Sequence, residues 1–396
     1  MARAVRASPA ALPMVGEQVP VRCVLMRGGT SKGVFLRTGD LPADPALRDR
    51  VILALFGSPD PRQIDGLGGA DILTSKVAII GPPTRPDADV DYTFGQVSIT
   101  EPVVDYDINC GNLSAAVGVY AVEEGFVRPA EPLTPVRVHN TNTGKVYTAL
   151  VPVRSGRPAV EGDCVVDGVP DPGAEILLDF AGAAGAATGR LLPTGAVRDV
   201  LPVAGLGPVE VTIVDLANLC VFFPARAAGM SGTEGPQTFT ARMLEAMMAV
   251  KEAAAGRLGV PRDGLVPLPV AVAPPAPFAT LRGATVEARS VDLLVRLAGG
   301  RPPVLHKAFP GTAAACAAVA AVLPGSVPAA VARTGGGDRI RLGHPSGIMV
   351  VAADARPGPR GDWQVLRAAY ARTARRLMEG YAFVRLCKIG SPPDGR

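Results

Sequence analysis

Apolar positions recur along this chain with two different spacings, and the contrast predicts its elements. Alternating or short continuous apolar runs predict strands at Val21 to Met26, Val34 to Leu36, Lys76 to Ile80, Asp91 to Ile99, Pro135 to His139 and Lys145 to Pro152. A second set follows at Ile176 to Phe180, Val209 to Leu216, Cys220 to Phe223, Pro267 to Val272, Val286 to Ser290 and Leu305 to Lys307. Helical spacing marks Pro45 to Phe56, with Leu47, Val51, Leu55 and Phe56 on one side, and Phe239 to Leu258. Two further helices are of another kind. Ala115 to Glu124 and the Ala-rich run after Gly311 are small-residue segments that carry no charge for about three turns, so each is expected to be buried on every side. A buried helix wrapped by strands, occurring twice, predicts two similar α/β lobes. The helix N-termini would face each other across a cleft, a natural place for carboxylates.

Composition narrows the picture. With 396 residues, length alone suggests two or three domains, and 48% apolar with 19% charged residues is enough to build a core. The mean hydropathy of +0.25 comes mainly from Ala and Val. Prolines and glycines break the longest low-charge stretch, Ala308 to Ala332, so no membrane span is expected. A net charge of +4, with 40 basic and 36 acidic residues interleaved, excludes a nucleic-acid-binding surface and suits a small anionic substrate. Six scattered cysteines and three histidines form no metal-spaced cluster, so no metal is expected and the chain reads as reduced and cytoplasmic. Residues before Val19 read as a loose leader rather than a secretion signal.

The candidate chemistry starts at Asn109-Cys110-Gly111-Asn112-Leu113-Ser114, a polar turn running straight into one of the buried helices. Asn112 or Ser114 is expected to cap that helix. Cys110 then lies just outside a helix start, where free N–H groups and the macrodipole favour an anion; a buried, inert cysteine is the plain alternative. Arg27-Gly28-Gly29-Thr30-Ser31-Lys32-Gly33 between two strands reads as an anion cradle, or as a simple hairpin turn. It lacks the GxxxxGK[ST] spacing, so nucleotide binding is not supported. Lys76 stands where a loop enters a strand, either snorkelling or pointed into a pocket.

Taken together, Met26 to Gly33, Gly57-Ser58-Pro59-Asp60, Ile64-Asp65-Gly66 with Gly68-Gly69, Thr74-Ser75-Lys76 and Asn109 to Ser114 resemble the PrpF-type isomerases. Thr188-Gly189, Leu192-Pro193-Thr194-Gly195, Ser231-Gly232-Thr233-Glu234 and Gly343-His344-Pro345-Ser346-Gly347 extend the resemblance over roughly residues 20 to 386. That family includes 2-methylaconitate and 3-methylitaconate isomerases and 4-oxalomesaconate tautomerase. The resemblance implies a diaminopimelate epimerase-like α/β fold of two pseudo-symmetric lobes, here residues 19–190 and 191–386, the last segment returning to the first lobe. It also implies cofactor-free chemistry, a double-bond shift by 1,3-proton transfer in an unsaturated di- or tricarboxylic acid.

By the same resemblance Lys76 and Cys110 exchange the proton, the order undecided. Arg27, Gly29, Thr30, Ser31 and Lys32 are expected to hold a carboxylate, with Ser75, Asn109, Gly111 and Asn112 nearby and Gly311, Thr312, Ser346 and Gly347 contributed by the second lobe. The second turn, Ala308-Phe309-Pro310-Gly311, has no cysteine where two-thiol racemases carry one, and Cys316 is expected in the core. Cys23, Cys164, Cys220 and Cys387 are expected to be structural, and His306 and His344 to be pocket-wall or strand residues. Asp215 and Asn218 fall in a pattern that Leu216 and Leu219 interrupt, so the second lobe's pocket shape is expected to differ from relatives. A keto–enol tautomerase and a non-catalytic accessory of an iron–sulfur dehydratase are the alternatives; Lys76 and Cys110 both being present argues against the second. A homodimer is compatible with the resemblance, with no interface legible.

Overall fold

The computed structural model describes residues 15–107, 110–300, 302–333, 339–359 and 361–390. Its four long helices are α1 (Pro45–Phe56), α2 (Gly111–Glu123), α3 (Ala241–Leu258) and α4 (Gly311–Val322). Local chemistry fixes the ends of α1 and α3. Asp44 accepts from Leu47 N, Pro45 opens the first turn of α1, and Gly57 closes it in the left-handed region. Thr240 and Gly259 do the same for α3.

The strands repeat one scheme. In the first half, Gln18–Gly28, Ser31–Arg37, Lys76–Gly81, Val90–Val97, Leu133–Asn140 and Lys145–Arg154 lie side by side, paired antiparallel, parallel, antiparallel, parallel, antiparallel. Gly207–Leu216, Asn218–Pro224, Leu268–Ala273, Leu293–Gly299, Arg339–His344 and Gly347–Pro357 pair in the same order in the second half. Parallel neighbours need a crossover connection, and the helices supply it: α1 and α2 in the first half, α3 and α4 in the second. The last two long strands tie the halves together. Trp363–Arg372 pairs with Gly347–Pro357 on one side and with Ile176–Asp179 on the other. Ala374–Arg385 then runs along Gln18–Gly28.

Each half of this one continuous sheet curls around one helix, α2 or α4, every residue of which is buried apart from the final one. The small side chains have a steric cause. A Cβ on Gly118 would stand 2.8 Å from Val151 Cγ2 and 2.9 Å from Ala149 Cβ, so the shell closes only on a slim helix. One continuous apolar cluster holds residues of both helices, and a second packs α3 against the outer face of its sheet.

Four sequence expectations change. First, α2 begins at Gly111 with Cys110 at its cap, and neither Asn112 nor Ser114 caps it. Asn112 is already inside the helix, and the Ser114 hydroxyl donates back to Cys110 O at 3.0 Å. Second, Arg27 to Gly33 is a two-residue hairpin, Gly28 pairing with Ser31 across Gly29 and Thr30, rather than an open cradle. Gly29 has φ +49°, and a Cβ there would lie 2.4 Å from Asn112 Oδ1. Third, only Val286 of the expected Val286 to Ser290 strand pairs, as the end of Thr285–Val286; Ala288–Ser290 turns instead, with Ser290 N bonded to Glu287 O. Fourth, Cys387 is exposed rather than packed, in the short helix Leu386–Ile389.

Candidate active site

The two central helices meet head to head. A Cβ on Gly111 would lie 2.7 Å from Thr312 N and 2.4 Å from Tyr370 Oη, and one on Gly311 would lie 2.3 Å from the same hydroxyl. Only glycine at both starts allows this approach, so two sets of unpaired N–H groups converge on one small volume. Tyr370 Oη donates to Gly111 O at 3.4 Å, and Asn218 Nδ2 donates to Thr312 Oγ1 at 2.7 Å. The first bond fastens the start of α2 and the second the start of α4, each from a strand.

Cys110 occupies the cap position in extended backbone and is 7% exposed. Lys76, equally buried, opens the strand Lys76–Gly81, with Gly33 beside it on one neighbour and Gln96 on the other. That register places Gln96 where its Oε1 accepts from Lys76 Nζ at 2.8 Å. Gln96 Nε2 donates to Ser75 O at 2.8 Å and Ile72 O at 3.2 Å, which fixes the amide with its oxygen toward the lysine. The ammonium also lies 5.1 Å from the centre of the Phe94 ring. Lys76 is therefore turned inward rather than snorkelling.

Lys76, Cys110, Gly111, Asn112, Ser31 and Gln96 share the wall of a cavity of about 400 Å³, which Asn218, His306 and Pro310 close from the second half. Burial, and after it the charge of Lys76, pushes His306 down to about 4, so this imidazole is neutral near pH 7. Its Nδ1–H donates to Ala308 O. Cys316 is away from this wall, fully buried inside α4, its Sγ 3.4 Å from Val214 O, with burial raising its pKa.

The other expected residues divide by place. Asn112 Nδ2 donates to Thr30 Oγ1 at 3.0 Å and to Ser31 Oγ at 3.5 Å, while its Oδ1 accepts from Arg372 Nε at 3.1 Å. Thr30 faces a smaller cavity of about 210 Å³ together with Asp167, His344 and Arg372. Ser346 and Gly347 lie at its edge: Ser346 Oγ donates to Lys307 O at 2.7 Å, and a Cβ on Gly347 would fall 2.0 Å from Asp167 Oδ2. Gly311 and Thr312 stand behind the main wall. Arg27, Lys32 and Ser75 line neither cavity. The Arg27 guanidinium donates to Gly29 O at 3.1 Å and Thr373 O at 2.9 Å, Lys32 N donates to Leu73 O at 2.9 Å, and Ser75 Oγ donates to Gln63 Oε1 at 2.7 Å. Asn109 lies outside the described residues.

Gln96, Tyr370 and Arg372 were not legible as site residues. Arg372 is buried, with no carboxylate bonded to it among the described residues; it stacks 4.8 Å from the Tyr370 ring centre and orients Asn112. The one signal for it was a cation closing the otherwise apolar run Ala368-Ala369-Tyr370-Ala371.

Two sheet-wrapped repeats, opposed helix starts and a buried lysine and thiol on one wall define a class of two-lobed α/β enzymes with their chemistry at the seam. The model of the PrpF protein family matches residues 18–385, and the chain belongs to that family. It is 48% identical over 387 residues to the 3-methylitaconate isomerase of Eubacterium barkeri, covering 95% of this chain and 100% of that one. It is 42% identical over 382 residues to the 4-oxalomesaconate tautomerase of Pseudomonas putida, covering 95% and 99%. The solved structure of a methylitaconate-delta-isomerase superposes with a TM-score of 0.80 at 47% identity, over 96% of this chain and 99% of that one.

Proposed function

We propose that this isomerase moves a carbon–carbon double bond in an unsaturated dicarboxylic acid of the methylitaconate type. The observation that carries the reading is the shared wall: Lys76 and Cys110 border one cavity at the point where two helix starts converge.

An allylic hydrogen next to a carboxylate is weakly acidic, and its removal leaves a dienolate whose charge spreads onto carboxylate oxygens. The N–H groups at the starts of α2 and α4 are suited to that charge, because they are fixed in place before it develops. One group takes the proton from the saturated carbon, and the second delivers a proton to the far end of the alkene. Atoms balance, and no net proton is consumed. Gln96 and the Phe94 ring hold the lysine in position; the cap holds the thiol. A keto–enol tautomerisation needs the same two groups, so oxalomesaconate belongs in the substrate panel.

The test is proton NMR in deuterated buffer with methylitaconate, methylaconitate, aconitate and oxalomesaconate. Isomerisation with deuterium uptake is expected for at least one acid. Lys76→Ala and Cys110→Ser should each lower its rate by about 10²-fold or more, while Cys316→Ala stays active. Binding without exchange or isomerisation by the wild-type chain would sink the proposal.

A further inference from the structure

We infer that the natural substrate carries an alkyl substituent longer than methyl, an inference that rests on the isomerase reading above and names its substrate class. The cavity is sharply two-sided. Its polar end is the seam, with Lys76, Gln96, the start of α2, Asn218 and His306. Much of the rest is apolar side chains of both halves, among them Ile72, Leu73, Ile99, Leu265, Leu297 and Val304, with Ser98, Thr100, Glu101 and Asp105 also on the lining. These residues have a common origin in the fold. Ile72, Leu73 and Ile99 flank the strands that carry Lys76 and Gln96, and Leu297 lies on Leu293–Gly299, so the apolar wall is continuous with the reacting end.

Size and charge select the occupant. A volume of about 400 Å³ lies within the range of about 300–1,000 Å³ that takes drug-sized ligands, whereas methylitaconate has only about ten non-hydrogen atoms. Among the described residues of the lining, Lys76 is the one cation, His306 is neutral, and Glu101 and Asp105 are acidic. A third carboxylate placed against Ile72, Leu265 and Leu297 would lose its water to apolar side chains. An alkyl chain there would cover Ile72, Ile99, Leu297 and also Val304, which is 44% exposed. Ile72, Leu73, Ile99 and Val304 also border a second hollow of about 480 Å³, so one layer of side chains bounds the chain's reach on that side.

For a 3-alkylitaconate the reaction balances as for the methyl compound. The C3–H bond breaks, C2=C3 forms, and the terminal methylene receives a proton to become methyl.

The experiment compares kcat/KM of the wild-type chain for 3-methyl-, 3-propyl- and 3-hexylitaconate, followed by proton NMR. In parallel, the dissociation constants of 2-methyl-, 2-propyl- and 2-hexylsuccinate, which have no double bond to move, are measured by calorimetry. Both series should strengthen with length by about fourfold per methylene until the cavity is filled. Leu265→Asp, at a half-buried position, should reduce the hexyl-to-methyl ratio at least tenfold. A flat or falling series from methyl to propyl, with the methyl compound still isomerised, overturns the alkyl inference and leaves the isomerase standing. If no itaconate is isomerised while another acid of the panel above is, this inference fails and the isomerase stands; if none of those acids is isomerised either, both fail.

Discussion

At the scale of single residues, the site depends on what is missing as much as on what is present. Gly111 and Gly311 have no side chain at the seam, and that absence lets two helix starts touch. Gly111→Ala is expected to force Tyr370 and the backbone at Thr312 apart, since the added methyl would lie 2.4 Å from one and 2.7 Å from the other. The cost should be about 1–3 kcal/mol of stability, seen as a lower urea midpoint, with a larger loss of kcat because the opposed N–H groups separate. Cys110 and Lys76 were visible in the sequence, one as a cysteine before a buried helix and the other at a loop–strand junction. Their neighbours were not. Gln96 is twenty residues from Lys76 and meets it through strand register, and Arg372 reaches Asn112 across 260 residues. No local pattern encodes such pairs. Arg27 illustrates the opposite case: a cation beside glycines suggested a carboxylate clamp, but the tight turn holds its guanidinium on main-chain oxygens.

At the scale of elements, α2 is held at both ends by different physics. Its start faces the cavity, and its C-terminal end is anchored through Glu124. Arg22, Arg37 and Arg376, from three strands of the first sheet, converge on this one carboxylate. Burial alone would raise the Glu124 pKa, but the hydrogen bonds from Arg22, Arg376 and Arg37 outweigh it and hold the carboxyl at about 2. A depressed carboxylate stabilises the fold above its unfolded pKa and loses that contribution as pH falls through the folded value. The window is therefore pH 4.5 down to about 2. The full shift is worth on the order of 3 kcal/mol before the partial exposure of the arginines discounts it. Glu124→Gln should lower the chemical-denaturation midpoint at pH 7 and flatten its decline between pH 4.5 and 2. An unchanged slope would show that other carboxylates govern that range.

At the scale of the whole molecule, two repeats are closed into one body by strands that belong to both, and the closure buries His344 and half-buries His306. Burial, then the charges of nearby cations, pushes His306 down to about 4 and His344 to about 3. Each stabilises the protein fully above pH 6.5, and the contribution is lost as pH falls toward those values, because the unfolded chain takes up the proton first. Between pH 7 and 5 the unfolding free energy should drop by about 2 kcal/mol for each histidine. Denaturant titrations of the wild type and of His344→Gln at the two pH values check this; the variant should lose less. The sequence by itself determined the repeats, the helices α1 and α3, the two small-residue central helices, and the cysteine and lysine of the candidate site. These follow from periodicity and turn residues, which act over a few positions. Only the tertiary structure decided which residues surround that lysine and cysteine. Register sets Gln96 against Lys76, the shared strand Trp363–Arg372 brings Tyr370 and Arg372 to the helix starts, and packing of the two halves makes the cavity apolar beyond them. Such contacts join residues far apart in the chain, and their energy depends on a geometry that no single segment carries.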